Sequence, residues 1–343
     1  MTGKRRVALL GAGSWAGRYA ASLAQSETLE LVAVAGGSRA PALAEKHGLR
    51  AEADAQALAA AEDIEAVIVA TPHGAHADGA VPILAAGKAV LVEKPMATSL
   101  ADCDRMMDAA SRSGATLRVA HSRRFFPLVR QARAVLDEGG LGRILMMRQT
   151  FCHNARGFGT REGHWMSDPE LSLGFFIGYG CHQLDMTIHL AGSRVAEVAG
   201  GFGNYWADSP IENCGAMFLR FADGSYTTFW EVCSMPTELQ SWPPFPGMCE
   251  RNEIVCEHGL ILLEPYGRLC VRTADDWQTL RELEPRQADP VLDFLAAEVE
   301  CLLRAADGQD AAPLATPEEG RHVVEVCLAG LESSRTGRAV TLA

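Results

Sequence analysis

Two fold classes in tandem are predicted for this chain of 343 residues: a doubly wound α/β domain with a parallel sheet, then an α+β domain with a large, open, mainly antiparallel sheet. Three observations predict them. Short apolar runs alternate with alanine- and leucine-rich helical stretches up to Ala120, and the first run leads directly into Gly11-Ala12-Gly13. Beyond Arg143 the runs lengthen and follow one another through turns, with no helix between them. The length exceeds what one hydrophobic core usually serves, and the change of character places the domains at 1–122 and 123–343.

The strands expected in the first sheet are 7–10, 29–35, 66–70, 89–92 and 116–120. They are β-branched runs with few polar interruptions, as strands covered on both faces require. Glycine closes the helices between them: 40–47 ends at Gly48, 77–86 at Gly87, and the helix capped by Ser99, with Asp102 three residues on, at Gly114. A helix over 127–138 opens the second domain and stops at Gly139-Gly140. Strands are expected at 144–151, 216–221, 225–232 and 254–263, the middle two joined through Ala222-Asp223-Gly224. Helices at 290–305 and 316–334 follow, separated by a polar linker.

Charge and composition exclude several classes. A net charge of −12 and a pI of about 5.3 would repel nucleic acid or an anionic membrane surface. No apolar stretch is long enough to span a bilayer, and Lys4-Arg5-Arg6 runs straight into the first strand, so a cytoplasmic protein without a leader is expected. The ten cysteines are scattered and form no CxxC pair, which points to reduced, buried, small hydrophobes. His73 and His76 lie three apart, but no third ligand of matching spacing follows, and no metal is expected.

The run Gly11-Ala12-Gly13-Ser14-Trp15-Ala16-Gly17 follows a strand and opens a helix, the context a dinucleotide fingerprint needs. Gly11 allows the tight turn, and Gly13 lets backbone amides approach a pyrophosphate at the helix N-terminus. At the end of the second strand an NAD site usually places a carboxylate on the ribose; here the chain reads Ala35-Gly36-Gly37-Ser38-Arg39. Ser38 and Arg39 suit a 2′-phosphate, so NADP is favoured over NAD. Glu93-Lys94-Pro95, at the end of an apolar strand, places a lysine where a nicotinamide would lie.

Several motifs occur in order: Gly11-x-Gly13, Ala70-Thr71-Pro72-x-x-x-His76, Gly87-Lys88-x-Val90-Leu91-Val92-Glu93-Lys94-Pro95, and Gly180-x-His182-x-x-Asp185. With Arg124-Phe125 and the closing 333–342 stretch, the chain resembles the Gfo/Idh/MocA family of oxidoreductases, which includes glucose–fructose oxidoreductase and inositol dehydrogenase. The resemblance implies a Rossmann domain followed by a substrate-binding and oligomerisation domain, hence a homo-oligomer of two or four chains. It implies cofactor contacts from Thr71, Pro72, His76, Glu93 and Lys94 beside those of the glycine turn, and a Lys94-Pro95 bond that is often cis. It also implies that Lys94 contacts the reacting hydroxyl and that His182 is the acid or base.

Those roles agree with the chemistry of alcohol oxidation, which removes the hydroxyl proton while hydride leaves the carbon. Imidazole titrates near working pH, and an ammonium stabilises the developing alkoxide. Asp185, one turn from His182, is a candidate to line the site. Many relatives carry an aspartate four residues before the histidine; this chain has Gly178. Arg123, Arg124, His153, Asn154, Arg156, Arg161, His164, Trp165 and Tyr179 supply cations and aromatics in the surrounding segment, and Gly157, Gly159 and Gly163 give it the character of an active-site loop. The expected reaction is hydride transfer between NADP or NAD and a secondary hydroxyl or keto group of a cyclic polyol or sugar-like substrate. The alternatives are a dihydrodiol dehydrogenase, a lyase or hydrolase using a tightly bound cofactor transiently, and a cofactor-binding sensor.

Overall fold

The structure, a computed structural model, describes residues 3–153, 165–204, 211–232, 248–274, 276–283 and 292–342. The chain divides into two compact units, Met1–Ser122 with Asp289–Arg321, and Arg123–Ala288 with His322–Ala343.

The first unit holds β1 (Arg5–Leu10), β2 (Leu29–Ala35), β3 (Arg50–Glu52), β4 (Ala66–Val69), β5 (Ala89–Glu93) and β6 (Leu117–Ala120), all parallel, in the order β3-β2-β1-β4-β5-β6. Val7, Leu9, Val67, Ile68, Val90 and Leu91 are completely buried, which explains the uninterrupted apolar runs. The order reverses at β1, so the chain leaving β1 and β4 emerges at a topological switch point, where open α/β sheets bind ligands. Helices α1 (Ser14–Leu23), α2 (Ala40–His47), α3 (Ala55–Ala60), α4 (His76–Ala85) and α5 (Leu100–Ser113) make the connections. Ser99 accepts the Asp102 N–H at 3.1 Å, and Gly48 and Gly114 end their helices in the left-handed region, as their sequence signals predict. The three-residue β3 and the helix α3, capped by Asp54, have no counterpart among the expected elements.

The second unit carries β7 (Ile144–His153), β8 (Val195–Gly203), β9 (Cys214–Phe221), β10 (Tyr226–Val232), β11 (Met248–Cys256), β12 (Gly259–Leu263), β13 (Arg268–Arg272), β14 (Trp277–Glu282) and β15 (Val340–Thr341), in the order β14-β13-β12-β11-β7-β10-β9-β8-β15. Within this second sheet, among its described strands, only β7 and β10 pair in parallel. The stretch 254–263, expected as one strand, is a hairpin turning at Glu257-His258. Gly259 permits it, because a Cβ there would stand 2.6 Å from the Arg272 carbonyl oxygen. Helices α6 (Pro127–Asp137), α7 (Pro169–Ser172) and α8 (Phe175–Ala191) belong to this unit. Phe218, Tyr226 and Trp230, which the pairing places on one sheet face, stay 38–39% exposed, the large apolar surface expected of an open sheet.

Helix α9 (Leu292–Ala306) returns to the first unit, so the expected second domain of 123–343 is not one body. Leu295, Val299 and Leu302 are buried along it, and Thr28 and Arg5 reach its Glu300 and the following Asp307 at 2.5 and 2.8 Å. In the second unit, the hydroxyls of Ser333 and Ser334 on α10 (Pro317–Thr336) accept the Gly200 and Phe202 N–H groups of β8, each at 2.9 Å. No helix among the described residues is long and apolar enough to cross a membrane. No cluster of three or more metal-ligating side chains occurs among them.

Candidate active site

Three strand ends of the first unit meet at Gly11. Its N–H donates to the Ala35 carbonyl at 2.8 Å, and the Ala70 N–H donates to Leu10 at the same distance. With φ of +113°, and with the Ala70 carbonyl oxygen 2.4 Å from where a Cβ would stand, only glycine fits this turn. Gly13 is the N-cap of α1 and offers no side-chain cap, and the first turn holds no acidic residue, so the helix N-terminus keeps its backbone donors for an anion. Ala12 is half-buried and Ser14 exposed. Thr71 and Pro72 follow β4, and the Thr71 hydroxyl is a buried polar group with no hydrogen-bond partner among the described residues. A glycine cradle, an uncapped helix start and an orphaned hydroxyl at the switch point fit a dinucleotide.

Beyond β2, Gly36 and Gly37 take positive φ, and Ser38 and Arg39 are exposed. The Arg39 guanidinium nitrogen lies 3.8 Å from the Cβ position of Gly13, so this cation stands beside the glycine turn. No carboxylate occupies the end of β2.

The Glu93-Lys94 turn is tied to the same region. Glu93, buried at the end of β5, accepts the Trp15 indole N–H at 2.5 Å and the Tyr19 hydroxyl at 3.0 Å on one oxygen, and the Lys94 backbone N–H at 3.1 Å on the other. Lys94 itself is half-buried, and its bond to Pro95 is cis. His76 is fully buried between two turns, with Nδ1 3.0 Å from the Pro95 carbonyl and Nε2 3.0 Å from that of Thr71. It joins the Thr71 turn to the Lys94-Pro95 turn as a strut. Burial pushes its imidazole down to about 4, against the carbonyl contacts that favour the cation.

A histidine whose folded pKa is depressed binds its proton less tightly than in the unfolded chain. Its contribution is therefore intact above the ordinary histidine value and is lost as pH falls from there toward 4. Urea unfolding of His76→Gln is expected to lose about 2 kcal/mol less than wild type between pH 7 and pH 5. Parallel slopes for the two proteins would remove His76 as the acid-sensitive strut.

In the second unit, α8 carries Gly178, Tyr179, His182 and Asp185. The Tyr179 and His182 rings meet edge-on, centroids 6.5 Å apart, and Trp165 and Tyr179 both pack on the pair Met166 and Ile211. Trp165, Tyr179 and His182 thus form one aromatic patch. Asp185 is buried and takes a bidentate bond from Arg124 at 2.9 and 2.6 Å. Arg123 is equally buried, paired with Glu250, bonded at 2.9 Å to Gln183 once that amide is oriented to satisfy both its ends, and stacked 5.1–5.7 Å from the rings of Phe126, Phe151 and Tyr266. Both residues are engaged inside the unit, as buried ions must be, and neither is retained below as a substrate contact. His153 ends β7, its side chain outside the described set; Asn154, Gly157, Gly159, Arg156, Arg161, Gly163 and His164 lie outside the described residues.

Sequence reasoning passed over three acids and a phenol. Glu250 pairs with Arg123, Glu298 and Tyr19 join Glu93, and Glu212 lies against Gly174, filling the space a Cβ on that N-cap would need. Glu212 thus brings a carboxylate to the first turn of the helix whose Gly178 lacks one.

The first unit is a doubly wound α/β unit with a dinucleotide cradle, and the second is a large, mainly antiparallel sheet with helices. Residues 5–121 match the model described as "Oxidoreductase family, NAD-binding Rossmann fold", and residues 129–262 match that of the "GFO/IDH/MocA C-terminal domain". The chain belongs to the Gfo/Idh/MocA family. It is 35% identical over 172 residues to a 1-carboxy-3-chloro-3,4-dihydroxycyclo hexa-1,5-diene dehydrogenase of Comamonas testosteroni, covering 50% of this chain and 43% of that one. It is 29% identical over 269 residues to the scyllo-inositol 2-dehydrogenase (NADP(+)) of Bacillus subtilis, covering 77% of each. The chain spans about half the length of several curated relatives it matches. Among solved structures, an oxidoreductase domain protein from Kribbella flavida superposes with a TM-score of 0.86 at 20% identity over the whole of both chains, a likeness of fold.

Proposed function

We propose that the protein is an NAD(P)-dependent dehydrogenase that moves a hydride between a nicotinamide and a secondary hydroxyl or keto group of a cyclic polyol or sugar-like molecule. The observation that carries this reading is the tie between Lys94 and the glycine turn: one carboxylate, Glu93, holds the Lys94 N–H and the Trp15 indole together. Gly11, Gly13, Trp15, Thr71, Ser38 and Arg39 would hold the dinucleotide, which supplies the hydride acceptor when bound. Lys94 donates a hydrogen bond to the reacting oxygen and stabilises its developing charge. His182 takes the hydroxyl proton, and Tyr179 packs edge-on against its ring. The exposed Phe218, Tyr226 and Trp230 face is consistent with a homo-oligomer.

A panel of cyclic polyols and cyclic dihydrodiols, followed by the absorbance of the reduced dinucleotide with NADP and NAD separately, tests the reading. Turnover of at least one polyol is expected; none on any compound with either cofactor would remove it. A dihydrodiol dehydrogenase is the second reading. It is favoured by the Trp165–Tyr179 patch, by Gly178, and by similarity to a relative named for a dihydroxycyclohexadiene.

NADP is the favoured cofactor because Arg39 stands beside the glycine turn and no carboxylate faces it from β2. Arg39→Ala is expected to raise the KM for NADP about tenfold and to leave that for NAD within about twofold, the loss of one charge-assisted contact. A wild-type preference for NAD would overturn the assignment.

A further inference from the structure

A buried acid pair stands behind the Glu93-Lys94 turn. The Tyr19 hydroxyl lies between two carboxyl groups, 3.0 Å from Glu93 and 2.9 Å from Glu298 on α9, with Tyr19 and Glu298 completely buried. A phenol has one hydrogen and can donate to one of them only. For both contacts to be hydrogen bonds, a further proton must sit in the chain.

The donors decide where. Glu93 receives three, from Trp15, Tyr19 and Lys94, and Lys94 adds a positive charge beside it. Among the described residues, Glu298 has Tyr19 alone, its other oxygen has no hydrogen-bond partner, and no cation bears on it. A carboxylate anion in that position would be buried without compensation, at a cost of several kcal/mol. Among the described residues, the polar groups that bear on Glu298 are Tyr19 from α1 and Glu93 from β5; the one charged residue of β6, which also packs against α9, is Arg118, and it donates to the Leu117 carbonyl. Burial first, then the Glu93 charge, pushes Glu298 well above the usual carboxylate value; burial raises Glu93 too, but Lys94, Tyr19 and Trp15 all favour its anion.

We propose that Glu298 is a positioning residue held as a neutral carboxylic acid: it donates to Tyr19, Tyr19 donates to the Glu93 anion, and Glu93 thereby fixes both Trp15 in the glycine turn and the backbone of Lys94. The chain runs from a helix made late in the sequence to the turn at its start. It rests on the reading of the Gly11–Trp15 turn as a dinucleotide site.

The full-length protein serves for the test, and neither measurement needs a substrate. At pH 7 its infrared spectrum is expected to show the C=O stretch of a neutral carboxylic acid, and Glu298→Gln is expected to lack it. No such band, or one that survives in Glu298→Gln, overturns the protonation. Binding of NADPH and NADH, read by nicotinamide fluorescence, then tests positioning. Glu298→Gln, which keeps an N–H donor for Tyr19, should bind within about twofold of wild type, whereas Tyr19→Phe and Glu298→Ala should bind about tenfold more weakly. Wild-type affinity in Tyr19→Phe overturns the positioning role, and so does a Glu298→Gln protein as weak as Glu298→Ala. If Glu298→Ala does not fold, Tyr19→Phe and Glu298→Gln decide alone. A wild type that binds neither dinucleotide sinks both the cofactor site and the positioning role, while the infrared result still decides the proton.

Discussion

Replacing His182 by asparagine, or Lys94 by methionine, is expected to lower kcat/KM by about 10³-fold while leaving dinucleotide affinity within about threefold. The two losses have different causes. Asparagine cannot take the hydroxyl proton, so His182→Asn should also lose the acid limb of the kcat/KM profile, which exists because imidazole must be neutral to act as base. Methionine keeps the length of lysine without its charge, so Lys94→Met should keep the imidazole limb and lose rate at every pH. Under the proposed assignment of both groups to one oxygen, the double variant should fall little below the weaker single one. Full turnover by Lys94→Met with unchanged cofactor binding would show that the lysine has another purpose. The panel of polyols and dihydrodiols must come first, since it supplies the substrate.

Gly11→Ala is expected to cost about 3 kcal/mol of stability and to abolish measurable dinucleotide binding. The φ of +113° is strained for any L side chain, and the atom a methyl would strike, 2.4 Å away, is the backbone oxygen of Ala70. That oxygen cannot rotate aside: the Ala70 N–H is bonded to Leu10, so relief requires parting β1 from β4 at the switch point. Gly13→Ala is the control. Its φ is −78°, and the nearest atom to a new methyl is the Arg39 guanidinium nitrogen at 3.8 Å, so its unfolding midpoint should match wild type. Weaker binding by Gly13→Ala at unchanged stability would then report the approach of the ligand to the helix start. Urea unfolding and fluorescence titration separate the two variants, and a Gly11→Ala protein as stable as wild type would contradict the geometry.

The parallel sheet was readable because buried strands and glycine-closed helices leave local marks: 40–47 and the Ser99-to-Gly114 helix fall where their caps predict. Strand β3 leaves none, being three residues at a sheet edge with no buried side chain. Strand β14 is exposed at all six positions, so no alternation marks it. The glycine turn and Glu93-Lys94-Pro95 could be read as motifs, whereas the engagement of Arg123 and Asp185 could not. Their partners, Glu250 and Arg124, lie 127 and 61 residues away, and an arginine that will be buried looks like one that will bind substrate. One signal was available and unused. In α9 the buried residues Leu295, Glu298 and Leu302 follow a helical spacing, so an acid sits on the apolar stripe.

The return of α9 to the first unit has a consequence for how the protein is made. A ribosome releases residues 1–122 long before 289–321, so the parallel sheet emerges without the helix that covers Tyr19 and must wait until strands β7 to β14 of the second sheet have been synthesised before it can close. During that interval the face of α1 bearing Tyr19 is an uncovered surface on a nascent chain. The dinucleotide-binding half, first in the sequence, is among the last parts to be finished.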